Sequence, residues 1–198
     1  MPKIQASSIY EHRENQRTRL LAVAKQILVT DGPKAVTPGS VSKVAGISRP
    51  AVYQYFENGT ALIEHVVLDD FEESLELIET AVSGASEPRT RAHAYVVSVI
   101  SQAAQGMHLT ATALTGWPMP DAFKREVNSL HRKQVEPFAA AMAELGVTSH
   151  IELALLGGIV ETGVRLAESG IPAQAVIENV CAQIDAALTR DRSANHNH

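Results

Sequence analysis

The sequence predicts an all-α protein built from an N-terminal three-helix domain and a C-terminal helical domain. Three observations predict it. Apolar residues recur at three- and four-residue spacing along the chain, and no alternating strand pattern competes. Leucine, alanine, valine and isoleucine dominate while aromatics are only 5%, a balance that suits helices better than a β-sandwich. Capping residues and glycines fall where helices of ordinary length must start and stop.

Taken in order, Ser8-x-x-Glu11 has the pattern of a capping box, which starts a first helix near Ile9 and ends it at Gly32. Leu20, Leu21, Ala24, Ile27 and Leu28 form its inward stripe. Thr37 caps the next helix, with Pro38 in its first turn, where a missing N–H costs nothing. Val41, Val44 and Ala45 are its expected inward face. Gly46 supplies a tight turn, Ile47 plugs it, and Ser48 caps a further helix from Arg49 to Phe56. Two short helices joined at a glycine make a helix-turn-helix, the second helix small and exposed enough to enter a DNA major groove.

Asn58-Gly59 then turns the chain, and Thr60 opens a long connector helix through Leu62, Val66, Phe71, Leu75, Ile78 and Val82 to Gly84. Further helices are expected at 87–105, 108–115, 121–145, 149–168 and 173–190, stopped by Gly106, Gly116, Gly146 and Gly170. Ser149-x-x-Glu152 is another capping box, and Pro137 should kink or break its helix near Glu136. The expected division is a helix-turn-helix domain at 9–58, a helical domain at 59–190 and a disordered polar tail at 191–198.

Charge is divided along the same line. Residues 1–56 hold eight Lys/Arg against three acids, a net +5, which leaves −10 on the remainder of a chain whose total is −5. A basic head on an acidic body attracts phosphate at one end only, which orients the chain on a nucleic acid. Cys181 is the lone cysteine, so there is no internal disulfide and no cysteine-rich zinc site, and a reducing, cytoplasmic location is expected. The longest apolar-plus-glycine run, Leu153 to Val160, is too short to span a bilayer, and no apolar signal core is seen. No membrane, cofactor or metal is therefore expected. His65 and Asp69 stand four apart on the connector helix without an evident third ligand, so the eight histidines do not organise a metal site. No phosphate-cradling loop, nucleophile elbow or zinc-protease motif is present, which leaves an enzyme as the weaker class.

The run Thr37 to Leu62, TPGSVSKVAGISRPAVYQYFENGTAL, is preceded by the amphipathic Arg19-Leu-Leu-Ala-Val-Ala-Lys-Gln-Ile-Leu and by Gly32. Together, from Arg17 to Val66, they resemble the DNA-binding domain of the TetR family of bacterial transcriptional regulators. The resemblance implies an all-helical ligand-binding and dimerisation domain beyond it. It also implies that Arg49, Pro50, Ala51 and Tyr53 face DNA, Tyr53 through its hydroxyl to a phosphate, while Val52 and Phe56 point inward. Where many members carry a backbone-contacting lysine, this chain has Gly59, which shifts weight to Arg17, Lys43 and the N-terminal arm.

The candidate DNA-binding residues are thus Thr37, Ser40, Lys43, Arg49, Pro50, Ala51, Tyr53 and Gln54. Arg49, the only cation of the reader, can fork onto guanine or clamp a phosphate, and Gln54 can pair with adenine. Tyr53 has a second reading as a core aromatic, and Tyr55 is ambiguous. For a small, mostly apolar effector the candidates are Phe71, Leu75, Tyr95, Val99, Gln102, Met107, Trp117, Phe123, His131 and Phe138, all of which also suit plain packing. In the last two helices the apolar residues nearly encircle 149–168, which demands burial on more than one side, by a partner subunit or as a central core helix. The expected homodimer interface is Ala154, Gly157, Gly158, Glu161, Ile177, Cys181, Ile184 and Leu188, and the resemblance favours a two-fold four-helix bundle there. The partners expected are double-stranded DNA, a small-molecule effector and a second copy of the chain. Repressor, activator, nucleoid-associated protein and DNA-free adaptor all remain compatible with the residues.

Overall fold

A computed structural model of the chain describes residues 3–194, with side chains described from 10 to 189. Among the described residues every regular element is helical. The chain divides into two compact units.

The first unit holds the chain through Asp70 together with Leu109–Phe123. It contains α1 (Lys3–Asp31), a 3-10 turn (Pro33–Ala35), α2 (Pro38–Ala45), α3 (Arg49–Tyr53), the opening of α4 (Gly59–Ser83) and α6 (Leu109–Ala113), which packs on α1. Its core is the expected α1 stripe with Val41, Ala45, Val52 and Phe56, joined by Leu62, Ile63, Val66 and Val67 of α4. Those four α4 residues explain why the unit does not end at residue 58. Two ion pairs add to them, Arg17 with Asp69 and Lys25 with Asp70, each joining α1 to α4.

The second unit comprises Phe71–His108 and the chain from Lys124 on. It contains the rest of α4, α5 (Pro88–Ala104), nearly all of α7 (Asp121–Glu144), α8 (His150–Glu168) and α9 (Ala173–Ala194). Its core runs from Ile78 through Val96, Ile100, Phe138 and Met142 to Leu156, Val160, Ile184 and Leu188. Gly163 is the close-packed glycine of this unit. A Cβ there would meet Val180 at 2.8 Å and Ile100 at 3.1 Å, so α8 sits tight on α5 and α9 only because the side chain is absent.

Several expectations are corrected. α1 begins at Lys3, so residue 8 lies inside the helix rather than at its cap. α7 runs uninterrupted through Pro137; burying Phe138, Ala141 and Met142 outweighs the lost hydrogen bond. Val44 is 55% exposed, because the buried arc of α2 is Pro38, Val41, Ser42 and Ala45, and residue 44 falls on the other side. Ser42 is accommodated there by donating to the Gly39 carbonyl at 2.8 Å. The helix α9 extends to Ala194, past the expected start of the tail; residues 195–198, with His196 and His198, lie outside the described residues.

Candidate functional site

The turn between α2 and α3 is set by Gly46, whose φ of 68° is left-handed and whose N–H closes onto the Ser42 carbonyl. Ser48 caps α3 by accepting from the Ala51 N–H, and Val52 and Phe56 anchor its inner side. The outer side carries Arg49, Pro50, Tyr53 and Gln54, all exposed, with Ala51 half-buried. Tyr53 is therefore a surface aromatic and not a core one. Arg49 Nη2 donates to the Tyr53 hydroxyl at 3.1 Å with its guanidinium 5.6 Å from the ring centre, so the two form one exposed unit. Tyr55 turns away from them and receives Arg13 of α1 over its ring at 5.8 Å.

At the start of α2, Thr37 and Ser40 form a reciprocal capping box with both bonds at 3.0 Å. The single hydroxyl proton of Ser40 goes to the Ala35 carbonyl at 2.6 Å, so this side chain has no donor left for a phosphate. Thr37 is exposed with its hydroxyl at the mouth of the helix.

Burial and pairing sort the cations of the basic head. Arg17 lies 3.7 Å from Asp69 and 3.3 Å from the His65 ring, Arg19 caps the Ala45 carbonyl at 2.8 Å, and Lys25 is held by Asp70. Those three hold the unit together. Lys34, Lys43 and Arg49 are exposed and have no carboxylate partner among the described residues. Arg17, expected to share the phosphate contacts, is thus engaged within the unit. His65 and Asp69 share that arginine, and among the described residues no three metal-ligating side chains converge.

Gly59 opens α4 against the 3-10 turn so closely that a Cβ would overlap the Val36 carbonyl oxygen. No side chain fits there. Beside it a depression of about 270 Å³ is lined by Pro33, Lys34, Val36, Thr60, Ile63 and Trp117.

The second unit contains a cavity of about 560 Å³ between α4, α5, α7 and α8. Of the ten effector candidates, Tyr95, Val99, His131 and Phe138 line it. Gln102 is joined to its wall through Ser74, while Phe71, Leu75 and Met107 are not among the lining residues. Trp117 and Phe123 belong to the first unit, where Trp117 sits by Gly59. Sequence reasoning missed Ser74, His108, Gln134, Arg165 and Glu168, all of which line the cavity. A readable signal existed for Ser74 alone, a polar residue on the apolar face of α4.

Of the eight interface candidates, Ala154, Gly157, Gly158 and Glu161 line this cavity. Ile184 and Leu188 are 0% and 7% exposed in the protomer's own core, which removes them from any partner surface. Ile177 and Cys181 are half-buried against that core. Burial and nearby Asp185 push the Cys181 thiol pKa up, keeping it in the unreactive form. What α8 presents outward instead is Ile151, 74% exposed, Leu155, 67% exposed, and Leu166. Ala175, Ala182 and Ala186 of α9 are also exposed.

Residues 20–66 match the family of bacterial regulatory proteins, tetR family. The fold is shared with solved structures of low identity. A TetR-family transcriptional regulator from Bordetella parapertussis 12822 superposes at a TM-score of 0.67 with 18% identity, over 85% of this chain and 93% of that one. The TetR-family regulator PfmR from Thermus thermophilus does so at 0.68 and 16%, over 86% and 94%. The fatty acid degradation regulator FadR from Bacillus halodurans does so at 0.69 and 12%, over 87% and 94%. No curated protein matches the chain.

Proposed function

We propose that this chain, a TetR family transcriptional regulator by its N-terminal segment and its fold, is a dimeric repressor that binds a palindromic operator and is released by a small, mostly apolar ligand. The observation that carries the reading is the outer face of α3. Its side chains are exposed, the helix is anchored from behind by Val52 and Phe56, and the exposed Lys43 and Lys34 of the same unit have no carboxylate partner among the described residues. In this reading Arg49 reads a base edge, Tyr53 and Thr37 contact phosphate, and Lys43 and Lys34 supply sequence-independent attraction. The repressor acts in the bacterial cytoplasm.

The dimer is proposed through α8 and α9. Ile151, Leu155 and Leu166 leave an apolar strip in water unless it is covered, and a two-fold axis covers it with its own copy while pairing two readers about 34 Å apart. The cavity of the second unit is the proposed effector site. Release requires the ligand to prefer the state that does not bind DNA, since equal affinity for both states shifts nothing. Electrophoretic retardation of a selected duplex, repeated with increasing ligand, tests both halves of the proposal. Retardation that no ligand relieves supports a constitutive binder; an absence of retardation removes the DNA reading altogether.

A further inference from the structure

The cavity of the second unit has an electrostatic and hydrogen-bonding character of its own. Its body is apolar, formed by Ile78, Val99, Val135, Phe138, Val160 and Val164. Tyr95 lies in the wall, its ring 5.3 Å from that of Phe138 and only 6% of the residue exposed. Among the described residues its hydroxyl has no hydrogen-bond partner. The hydroxyl is not one of the buried atoms left without a partner, so it opens onto the cavity and offers its donor to an occupant.

A second polar group is left over nearby. Gln134 Nε2 donates to Ser74 Oγ at 2.8 Å, Ser74 Oγ donates to Gln102 Oε1 at 2.6 Å, and Gln102 Nε2 donates to Ser98 Oγ at 3.0 Å. In this arrangement the serine gives its one proton to Gln102 and accepts from the Gln134 nitrogen. The amide oxygen of Gln134, on the cavity wall, is then an acceptor that no described residue uses. One neutral donor and one neutral acceptor are on offer.

No unpaired permanent cation accompanies them among the described residues. Arg165 is the sole permanent cation of the lining, and it is committed to Glu161 and Thr162, both at 3.0 Å. Glu161 and Glu168 outnumber it, and Glu168 is bonded to His108 at 3.0 Å. An anion entering here meets two carboxylates against one paired guanidinium and the two histidines His108 and His131, and no unpaired permanent cation offsets its desolvation.

We infer that this cavity takes an uncharged ligand, an apolar body bearing one hydroxyl group that accepts from the Tyr95 hydroxyl and donates to the Gln134 amide oxygen, and that it rejects carboxylates. The inference rests on the reading of the cavity as the effector site and adds the ligand's chemical class.

The test is isothermal titration of the full chain, without DNA, with decan-1-ol, decanoate and decyltrimethylammonium at about pH 8, where the carboxylic acid is ionised. The alcohol should bind at least about tenfold more tightly than either ion. Tyr95→Phe should weaken the alcohol by about fivefold, one neutral hydrogen bond, with an unchanged thermal midpoint. Gln134→Leu provides an independent second variant with the same expected loss. Tighter binding of decanoate or of the ammonium ion, equal affinity of the alcohol for the Tyr95→Phe and parent chains, or no binding by any of the three overturns the inference. Retardation of duplex DNA is measured separately. An alcohol that binds as expected yet leaves DNA affinity unchanged sustains the ligand class and removes the release mechanism.

Discussion

Arg49 and Tyr53, one turn apart on α3, are joined by a 3.1 Å hydrogen bond from guanidinium to phenol and by the stacking of one over the other. The pairing restrains the arginine along the exposed side of α3, so in the proposed role it would lose less rotamer freedom on meeting a base edge. Arg49→Ala should therefore reduce discrimination at one base pair per half-site by about 1–3 kcal/mol, read from a binding-site selection. Lys43→Ala should weaken all duplexes alike and lower the salt slope by about one. If the selected consensus is the same with and without Arg49, its contact is to phosphate.

Arg17 supplies the contrast. Its partners are Asp69 and the His65 ring, so Arg17→Ala should leave the salt slope of DNA binding unaltered and cost about 0–1 kcal/mol in urea unfolding. A slope reduced as much as by Lys43→Ala would show that the arginine leaves its partners to bind DNA.

Gly59→Lys, which installs the lysine that many TetR-family chains carry, should not tighten DNA binding. The new Cβ overlaps the Val36 carbonyl oxygen, and the backbone of α4 or of the 3-10 turn must move to relieve it. The expected cost is about 1–3 kcal/mol of stability, seen as a lowered urea midpoint, with weaker retardation of the operator. A more stable variant that binds more tightly would contradict the packing described for Gly59.

Tyr95 links stability to alkaline pH. Burial raises its pKa from 10 to about 12, so the folded chain holds the phenol proton more tightly than the unfolded chain does. That contribution is fully present below about pH 10 and is lost as pH rises through about 12, on the order of 2 kcal/mol across the window. Tyr95→Phe should remove this part of the pH dependence. At neutral pH the variant should be no less stable than the parent, because the hydroxyl it deletes has no partner. A large loss of stability at neutral pH would reveal a hydrogen bond that the structure lacks.

Leu155→Glu places a carboxylate on the exposed strip of α8 without touching the protomer core. Sedimentation should show a folded monomer with weakened operator binding. A folded variant that stays dimeric locates the interface away from this strip.

The fold was legible because its signals are local. Thr37, Gly46, Ser48 and Ser149 act through backbone bonds three or four residues away, and the 3.6-residue spacing of Leu20, Leu21, Ala24, Ile27 and Leu28 marks the buried face of α1 directly. The helix-turn-helix was legible for the same reason. Less visible was which polar groups are already spent: Arg17, Arg19 and Lys25 read as free cations until their partners 26 to 48 residues away are known. Trp117 illustrates the limit. It is an effector candidate by sequence, yet it lies in the first unit beside Gly59 and does not line the cavity of the second. Gly163, which no sequence pattern marks, makes the close approach of α8 to α5 and α9 within the protomer.

The most direct test of a DNA-reading dimer is selection of bound sites from random duplex DNA, followed by titration of the selected duplex against salt. The account predicts an inverted repeat whose half-sites lie about one helical turn apart, bound with an affinity that falls about 10³-fold or more between roughly 50 and 200 mM salt. No enriched sequence, together with an affinity indifferent to salt, would contradict it.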